Sequence, residues 1–434
     1  MALDLKRFFQ ACNPSNTLVI GKAEDKQYYI DFSSVRGTKI IEQFKRTIAR
    51  LSPEVPTCQL FTGHIGCGKS TELLRLKAEL EQEDFHVVYF ESSQILDMAD
   101  VDVTDILLAI AAEVTKSLEA IKINPKPGYF QDLFKDLYHI LQVPVTPESI
   151  EFSVGIAKIT SKIQDSPSLR SQLRQYLEPR TLGIIESINK DIIKPAQEKL
   201  KDQGKKGLVV IIDNLDRIDN TKKPNEQYQP EYLFIERGEQ LKNLHCHVVY
   251  TVPLILMYSN ALGRLNNRFG QSPKVLPMVA VKQRDNSDFT QGITLLKQMV
   301  MSRAFPGVNW EQNQNLITKV FDSVDTLERL CKVSGGHLRN LLTLLYGCLQ
   351  DEDPPITRDC LETVIKQQCN DLNRAIDNQE WQLLKEIHQS KRRIQGDQEY
   401  EDLIKNIWVF EYVDSEGSWF DINPILQEAK EFKL

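Results

Sequence analysis

Apolar and polar positions along this chain change period repeatedly, and each change marks an element. Gln59-Leu60-Phe61-Thr62 is a short apolar run, after which Leu73, Leu74, Leu76, Ala78 and Leu80 recur at helical spacing. His86-Val87-Val88-Tyr89-Phe90 is apolar again, followed by Ile106, Leu107, Ile110 and Val114 on one face of a helix over 105–118. Gly207-Leu208-Val209-Val210-Ile211-Ile212 and His247-Val248-Val249-Tyr250 are continuous apolar runs too short for buried helices, the pattern of strands covered on both faces. A further strand is expected over 274–281. Short buried strands alternating with helices predict an α/β fold with a parallel sheet.

Other stretches carry different patterns. Residues 17–32 alternate, with Gly21 to Lys26 between Thr17-Leu18-Val19-Ile20 and Tyr28-Tyr29-Ile30-Asp31-Phe32, and read as a hairpin. Ile40, Ile41, Phe44 and Ile48 mark a helix. Residues 125–205 turn strongly helical, with Phe130, Leu133, Phe134, Leu137 and Leu141, then Ile185, Ile188 and Ile192, and Pro144, Pro147, Pro167 and Pro179 as punctuation. This block reads as an insertion in the α/β core. Residues 289–370 are helical, and beyond them come two helices and a hairpin, Val409–Val413 facing Trp419–Ile422 across Asp414-Ser415-Glu416-Gly417. That order is the outline of a winged helix. The expected domains are a core over 1–285, a helical lid over 286–370 and a winged-helix domain over 371–434.

The totals narrow the partners. A chain of 434 residues suits two or three domains, and its formal net charge of −7 argues against general affinity for nucleic acid or anionic membrane. Eight cysteines lie scattered without a CxxC pair, so neither a zinc site nor a disulfide framework is indicated; His245-Cys246-His247 reads as strand packing. The first residues show no apolar core followed by a cleavage signal, and no apolar run approaches a membrane span. A cytoplasmic setting without membrane contact is expected.

Two motifs carry chemistry. Gly63-His64-Ile65-Gly66-Cys67-Gly68-Lys69-Ser70-Thr71, between a strand and a helix, fits a loop whose glycines turn backbone N–H groups around an anion while the helix presents its positive end. Lys69 is expected to reach the β and γ phosphates of ATP, and Ser70 to offer its hydroxyl to Mg²⁺, with Gly63, Gly66, Cys67, Gly68 and Thr71 completing the cradle. Cys67 admits a redox reading at the helix start, against the plainer account of a small tolerated residue. The second motif is the apolar strand ending in Asp213-Asn214-Leu215-Asp216-Arg217. Asp213 is expected to serve Mg²⁺, and a second acid to orient the attacking water.

With the phosphate loop, the Asp213 strand, a strand tipped by Thr251, the segment Arg264-Leu265-Asn266-Asn267-Arg268-Phe269 and Gly336-His337-Leu338-Arg339 in this order, the chain resembles an AAA+ type ATPase. It looks closest to the branch holding the STAND signalling ATPases and origin-recognition-like initiators, over about residues 20–425. The resemblance implies a three-layer P-loop core with a helical lid and a C-terminal winged helix. It also implies that Thr251 is the sensor-1 residue, Arg339 the sensor-2 arginine acting in cis, and Arg268 a finger inserted by a neighbouring subunit, with Arg264 as competitor. Many AAA+ proteins have Glu directly after the Mg²⁺ aspartate; here Asn214 stands there, and Asp216 is the expected substitute base. Should Asp216 point away, hydrolysis would be slow, as in a switch rather than a motor.

Three functions follow. The first is an ATP-binding and hydrolysing switch that assembles as a homo-oligomer and signals to a separate effector or sensor protein, with bacterial antiviral defence implied by family analogy alone. The second is a DNA-binding initiator or loader. Residues 371–434 carry 8 Lys/Arg against 14 Asp/Glu, a poor footprint for DNA in which Lys391-Arg392-Arg393 is the one local basic cluster. The third is a nucleotide-binding scaffold that does not hydrolyse.

Overall fold

The computed structural model describes residues 2–125, 128–140, 166–223, 227–392 and 398–433. Seven strands lie among them: β1 (Cys58–Gly63), β2 (Phe85–Glu91), β3 (Gly207–Asp213), β4 (His247–Thr251), β5 (Lys274–Leu276), β6 (Val409–Asp414) and β7 (Gly417–Ile422). The first five form one sheet in the order β2-β3-β4-β1-β5, and β6 and β7 form an antiparallel hairpin. Parallel pairing joins β2 to β3, β3 to β4 and β1 to β4, so the α/β expectation holds.

The chain divides into two compact units. One comprises residues 41–62 and 76–274 and carries most of the sheet. Every position of β3 is buried, which is why its sequence is apolar without alternation. Leu208, Val210 and Ile212 share a core with Ile106, Ile110 and Val114 of the helix Val103–Ala120. That helix starts in a capping box, in which the Asp102 side chain accepts from the N–H of Val103 and Asp105 accepts from the N–H of Asp102 at 2.8 Å. The expected insertion supplies the helices Gly128–Ile140, Pro167–Leu177, Thr181–Ser187 and Lys194–Asp202. Ile184, Ile185, Ile188 and Ile192 belong to the same apolar core as the strands, so this block completes the interior of its unit. Leu141, Pro144 and Pro147 lie outside the described residues.

The other unit comprises residues 2–40, 63–75 and 275–433. The helices Thr290–Ala304, Val324–Val333, Leu338–Asp351 and Arg358–Asn373 precede Asn378–Ser390, Gln398–Lys405 and the β6–β7 hairpin. At the other end of the sequence, Phe9 stacks on Tyr346 with ring centroids 4.3 Å apart, and the buried Arg303 donates to the Ala11 carbonyl at 3.1 Å. The hairpin is pinned by Asp421, which is fully buried and accepts from His388 Nδ1 at 2.7 Å and Lys391 Nζ at 2.6 Å while pairing with Lys282. Burial alone would raise this carboxyl; the His388 bond and the two lysine charges outweigh it and bring the pKa to about 2. Arg393, last of the basic cluster, lies outside the described residues.

Two expectations need correction. Residues 17–32 form no hairpin and hold a single helical turn, Ala23–Lys26. The Asp25 carboxylate accepts the Val19 N–H at 2.9 Å and Lys22 N–H bonds the Val19 carbonyl at 2.8 Å, so local turn bonds take the groups a strand ladder would have used. The strand expected over 274–281 pairs in the sheet only as Lys274–Leu276. Beyond it Met278 N–H donates to the Glu411 carbonyl at 3.0 Å, so the segment spends its backbone elsewhere. No helix among the described residues is long and apolar enough to cross a membrane.

Candidate nucleotide site

The loop His64–Gly68 leaves β1 and enters the helix Lys69–Gln82, whose first turn has N–H groups without intrahelical acceptors. Gly66 has φ +87°, a conformation L side chains rarely adopt, and a Cβ there would stand 2.8 Å from the His337 ring and 2.9 Å from Arg339 Cβ. Lys69 Nζ, nearly buried, donates to the carbonyls of Gly63 at 2.7 Å and His64 at 2.8 Å, so the loop itself aims the ammonium across its mouth.

Residues far along the sequence hold this loop. His337 Nδ1 accepts the Asn340 N–H at 3.1 Å, which leaves the proton on Nε2 to be donated to the Ile65 carbonyl at 2.7 Å. Arg339 N–H donates to the Gly66 carbonyl at 3.2 Å. His64 Nε2 accepts the Glu411 N–H of β6 at 3.1 Å, and Phe410 lies stacked on His337 and edge-on to His64. Burial pushes both imidazoles down, His64 to about 3 and His337 to about 4, so both are neutral at neutral pH. Arg36 donates from Nη2 to the Cys67 carbonyl at 2.7 Å.

The residues fit an anionic ligand. Nε and Nη1 of Arg36 and Nδ1 of His64 are buried without a hydrogen-bond partner among the described residues, so three donors at this loop await an acceptor.

The second cluster lies on the carboxyl edge of the sheet. Register places Glu91 opposite Asp213, Ile212 opposite Tyr250 and Phe61 opposite Thr251, so Glu91, Asp213 and Thr251 form a row across β2, β3 and β4. β1 ends at the same edge, and the phosphate loop follows it in the chain. Asp213, fully buried, accepts from Tyr89 Oη at 2.8 Å on Oδ2 and from Asn214 N–H at 2.7 Å on Oδ1. Thr251 Oγ1 accepts the Leu215 N–H at 2.9 Å and donates to the Ile212 carbonyl at 3.3 Å, so its hydroxyl clamps the turn after Asp213. Asp216 sits on that turn, Leu215–Arg217, one step past the row.

Arg268 and Arg264 stand apart from this row, on the helix Leu262–Phe269. Arg268 Nε donates to the Ile235 carbonyl at 3.0 Å with Glu239 at 3.6 Å, and Arg264 pairs with Glu236.

Residues 38–224 match the KAP family P-loop domain. The match includes the loop at 63–71 and Asp213, and stops before Thr251, Arg268 and Arg339. The fold is that of a P-loop NTPase. The chain is also similar to solved structures at low identity. A Walker-type ATPase of Pyrococcus abyssi is 12% identical, covering 98% of this chain and 100% of that one with a TM-score of 0.45. The ORC2 protein of Aeropyrum pernix is 9% identical over 98% and 96%, TM-score 0.42, and Cdc6p of Pyrobaculum aerophilum 11% over 96% and 94%, TM-score 0.37. No curated protein matches the chain in sequence.

Sequence reasoning missed three residues of the P-loop domain and its surroundings. Arg36 precedes a helix with no motif to single it out, and His337 stands in the segment Gly336-His337-Leu338-Arg339, where only Arg339 was given a role. Glu91 carried a visible signal, since it closes an apolar strand as Asp213 does.

Proposed function

We propose that this protein binds and hydrolyses ATP as a switch, with the state of the phosphate loop read by the segments 334–340 and 409–414. The observation that supports this is the grip on the loop's own backbone and side chains: His337 on Ile65, Arg339 on Gly66 and Glu411 on His64. Phosphates drawn in by Lys69 and by the unpartnered donors of Arg36 and His64 would compete for or brace these bonds. Magnesium would take the Ser70 hydroxyl and the Asp213 carboxylate as protein ligands, an assignment that rests on their motif positions; it would supply charge neutralisation on the phosphates. Arg339 would add a guanidinium beside Gly66, and Arg268 would act on a neighbour's nucleotide after leaving Ile235 and Glu239. In that reading subunits assemble on ATP and signal to a separate protein.

The test is hydrogen exchange of the β6–β7 hairpin with and without ATP and magnesium. Protection of residues 409–422 should change on binding in the wild type and stay constant in Lys69→Ala. Stoichiometric ATP binding with unchanged exchange there would remove the switch.

A further inference from the structure

We propose that a cleft at the amino edge of the sheet, between the loop 51–57 and the helix Lys194–Asp202, docks an acidic segment of a partner protein by seating one apolar side chain between flanking carboxylates. Every residue involved lies in the unit 41–62 and 76–274, so this docking site goes beyond the nucleotide reading and stands without it.

The cleft opens where β3 and β4 begin, at the end of the sheet away from Asp213. It holds about 350 Å³ and is open to solvent, near the lower end of the roughly 300–1,000 Å³ usual for ligand clefts, which is room for one large side chain. Its floor is neutral. Leu208 and Cys246 are buried there, and burial pushes the Cys246 thiol up, so it packs as a small apolar group. Burial also pushes the His247 imidazole down; its Nε2–H points to the Pro53 carbonyl at 3.4 Å and its Nδ1 accepts from the Thr57 hydroxyl at 2.9 Å. Gln197 donates its amide to the His245 carbonyl at 2.9 Å, which ties the helix wall to the start of β4.

The rim is charged. Lys201 and Lys206 line it together with Glu54. The Lys201 side chain makes no hydrogen bond or ion pair among the described residues, and Lys206 lies 3.6 Å from Glu83. Residues 194–206 carry Lys194, Lys199, Lys201, Lys205 and Lys206 against Glu198 and Asp202, a local positive excess on a chain whose net charge is −7. In the loop on the other side of the cleft, Leu51 and Val55 are 66% and 64% exposed. Ser52 Oγ donates to the Val55 carbonyl at 2.8 Å, and Pro53 and Pro56 fix two φ angles, so the loop is already ordered before anything binds. Exposed aliphatic side chains beside a neutral floor and a lysine rim complement a peptide that offers an aliphatic side chain among carboxylates. A single-stranded nucleic acid would want aromatic faces for its bases, and among the described residues the ring that lines the cleft is the buried His247.

The experiment uses the full chain without nucleotide and follows the fluorescence anisotropy of short labelled peptides: leucines between glutamates, the same leucines between lysines, and glycines between glutamates. The leucine–glutamate peptide should bind at least about tenfold more tightly than either control. Lys201→Glu and Val55→Ser should each weaken it by about tenfold, whereas Lys194→Glu, which carries the same charge change outside the lining, should stay within about twofold. Lys201, Val55 and Lys194 are exposed, so thermal unfolding midpoints should match wild type in all three variants. Absence of binding by the leucine–glutamate peptide, equal binding of either control peptide, or an equal loss in Lys194→Glu would overturn the proposal. So would displacement of the peptide by a thymidine oligonucleotide, which would assign the lysines to nucleic acid.

Discussion

Mild acid should loosen the unit that contains the phosphate loop, and two histidines set the size of the effect. His64 and His337 titrate near 6.5 when exposed, but burial brings them to about 3 and about 4 in the folded chain. Between those values and 6.5 the unfolded chain binds protons that the folded chain refuses, so stability is full above pH 6.5 and falls as pH drops. At pH 5 each histidine is still neutral when folded and mostly charged when unfolded, a loss of about 2 kcal/mol apiece. All four tryptophans, Trp310, Trp381, Trp408 and Trp419, lie in this unit, so urea unfolding followed by their fluorescence reports on it. Wild type, His64→Gln and His337→Asn would be compared at pH 7.5 and pH 5. Each variant should start less stable, through lost contacts to Phe410 and the loop, yet lose about 2 kcal/mol less on acidification. His86 and His247, also lowered by burial, lie in the other unit and are common to all three proteins. Equal acid sensitivity in all three would refute the reasoning.

Three other outcomes are expected. Lys69→Ala removes the ammonium held by Gly63 and His64, and should weaken ATP binding by at least about 100-fold in calorimetry, roughly 3 kcal/mol. A Cβ at Gly336 would lie 1.7 Å from the Val279 carbonyl oxygen, and φ there is +73°, so Gly336→Ala should cost at least about 3 kcal/mol; an unchanged urea midpoint would contradict this geometry. Asp421→Asn strands Lys282 and Lys391 beside a neutral amide, which should cost about 3–5 kcal/mol by thermal unfolding, and adding Lys391→Met should recover part of it.

The sheet was legible because burial on both faces leaves little choice of side chain: β2, β3 and β4 stand within one or two residues of the apolar runs that announced them. The phosphate loop was legible for a different reason, since Gly66 and Lys69 answer to a ligand whose shape is fixed. What escaped was whatever depends on distant pairing. The run 17–32 alternates like a strand, but nothing local says that Asp25 will claim the Val19 N–H. Glu91 went unremarked because the register that brings it level with Asp213 spans more than a hundred residues of intervening chain.

The bond between His64 and the backbone of Glu411 joins positions 347 residues apart. During synthesis the phosphate loop stays without this clasp until residue 411 has been made. Closing so long a loop is slow and cannot be anticipated by local contacts. A translation product cut short anywhere before residue 411 should therefore carry the motif without its finished shape, visible as a protease-sensitive loop in stalled chains. The β6–β7 hairpin thus bears on the shape of a loop that precedes it by more than three hundred residues.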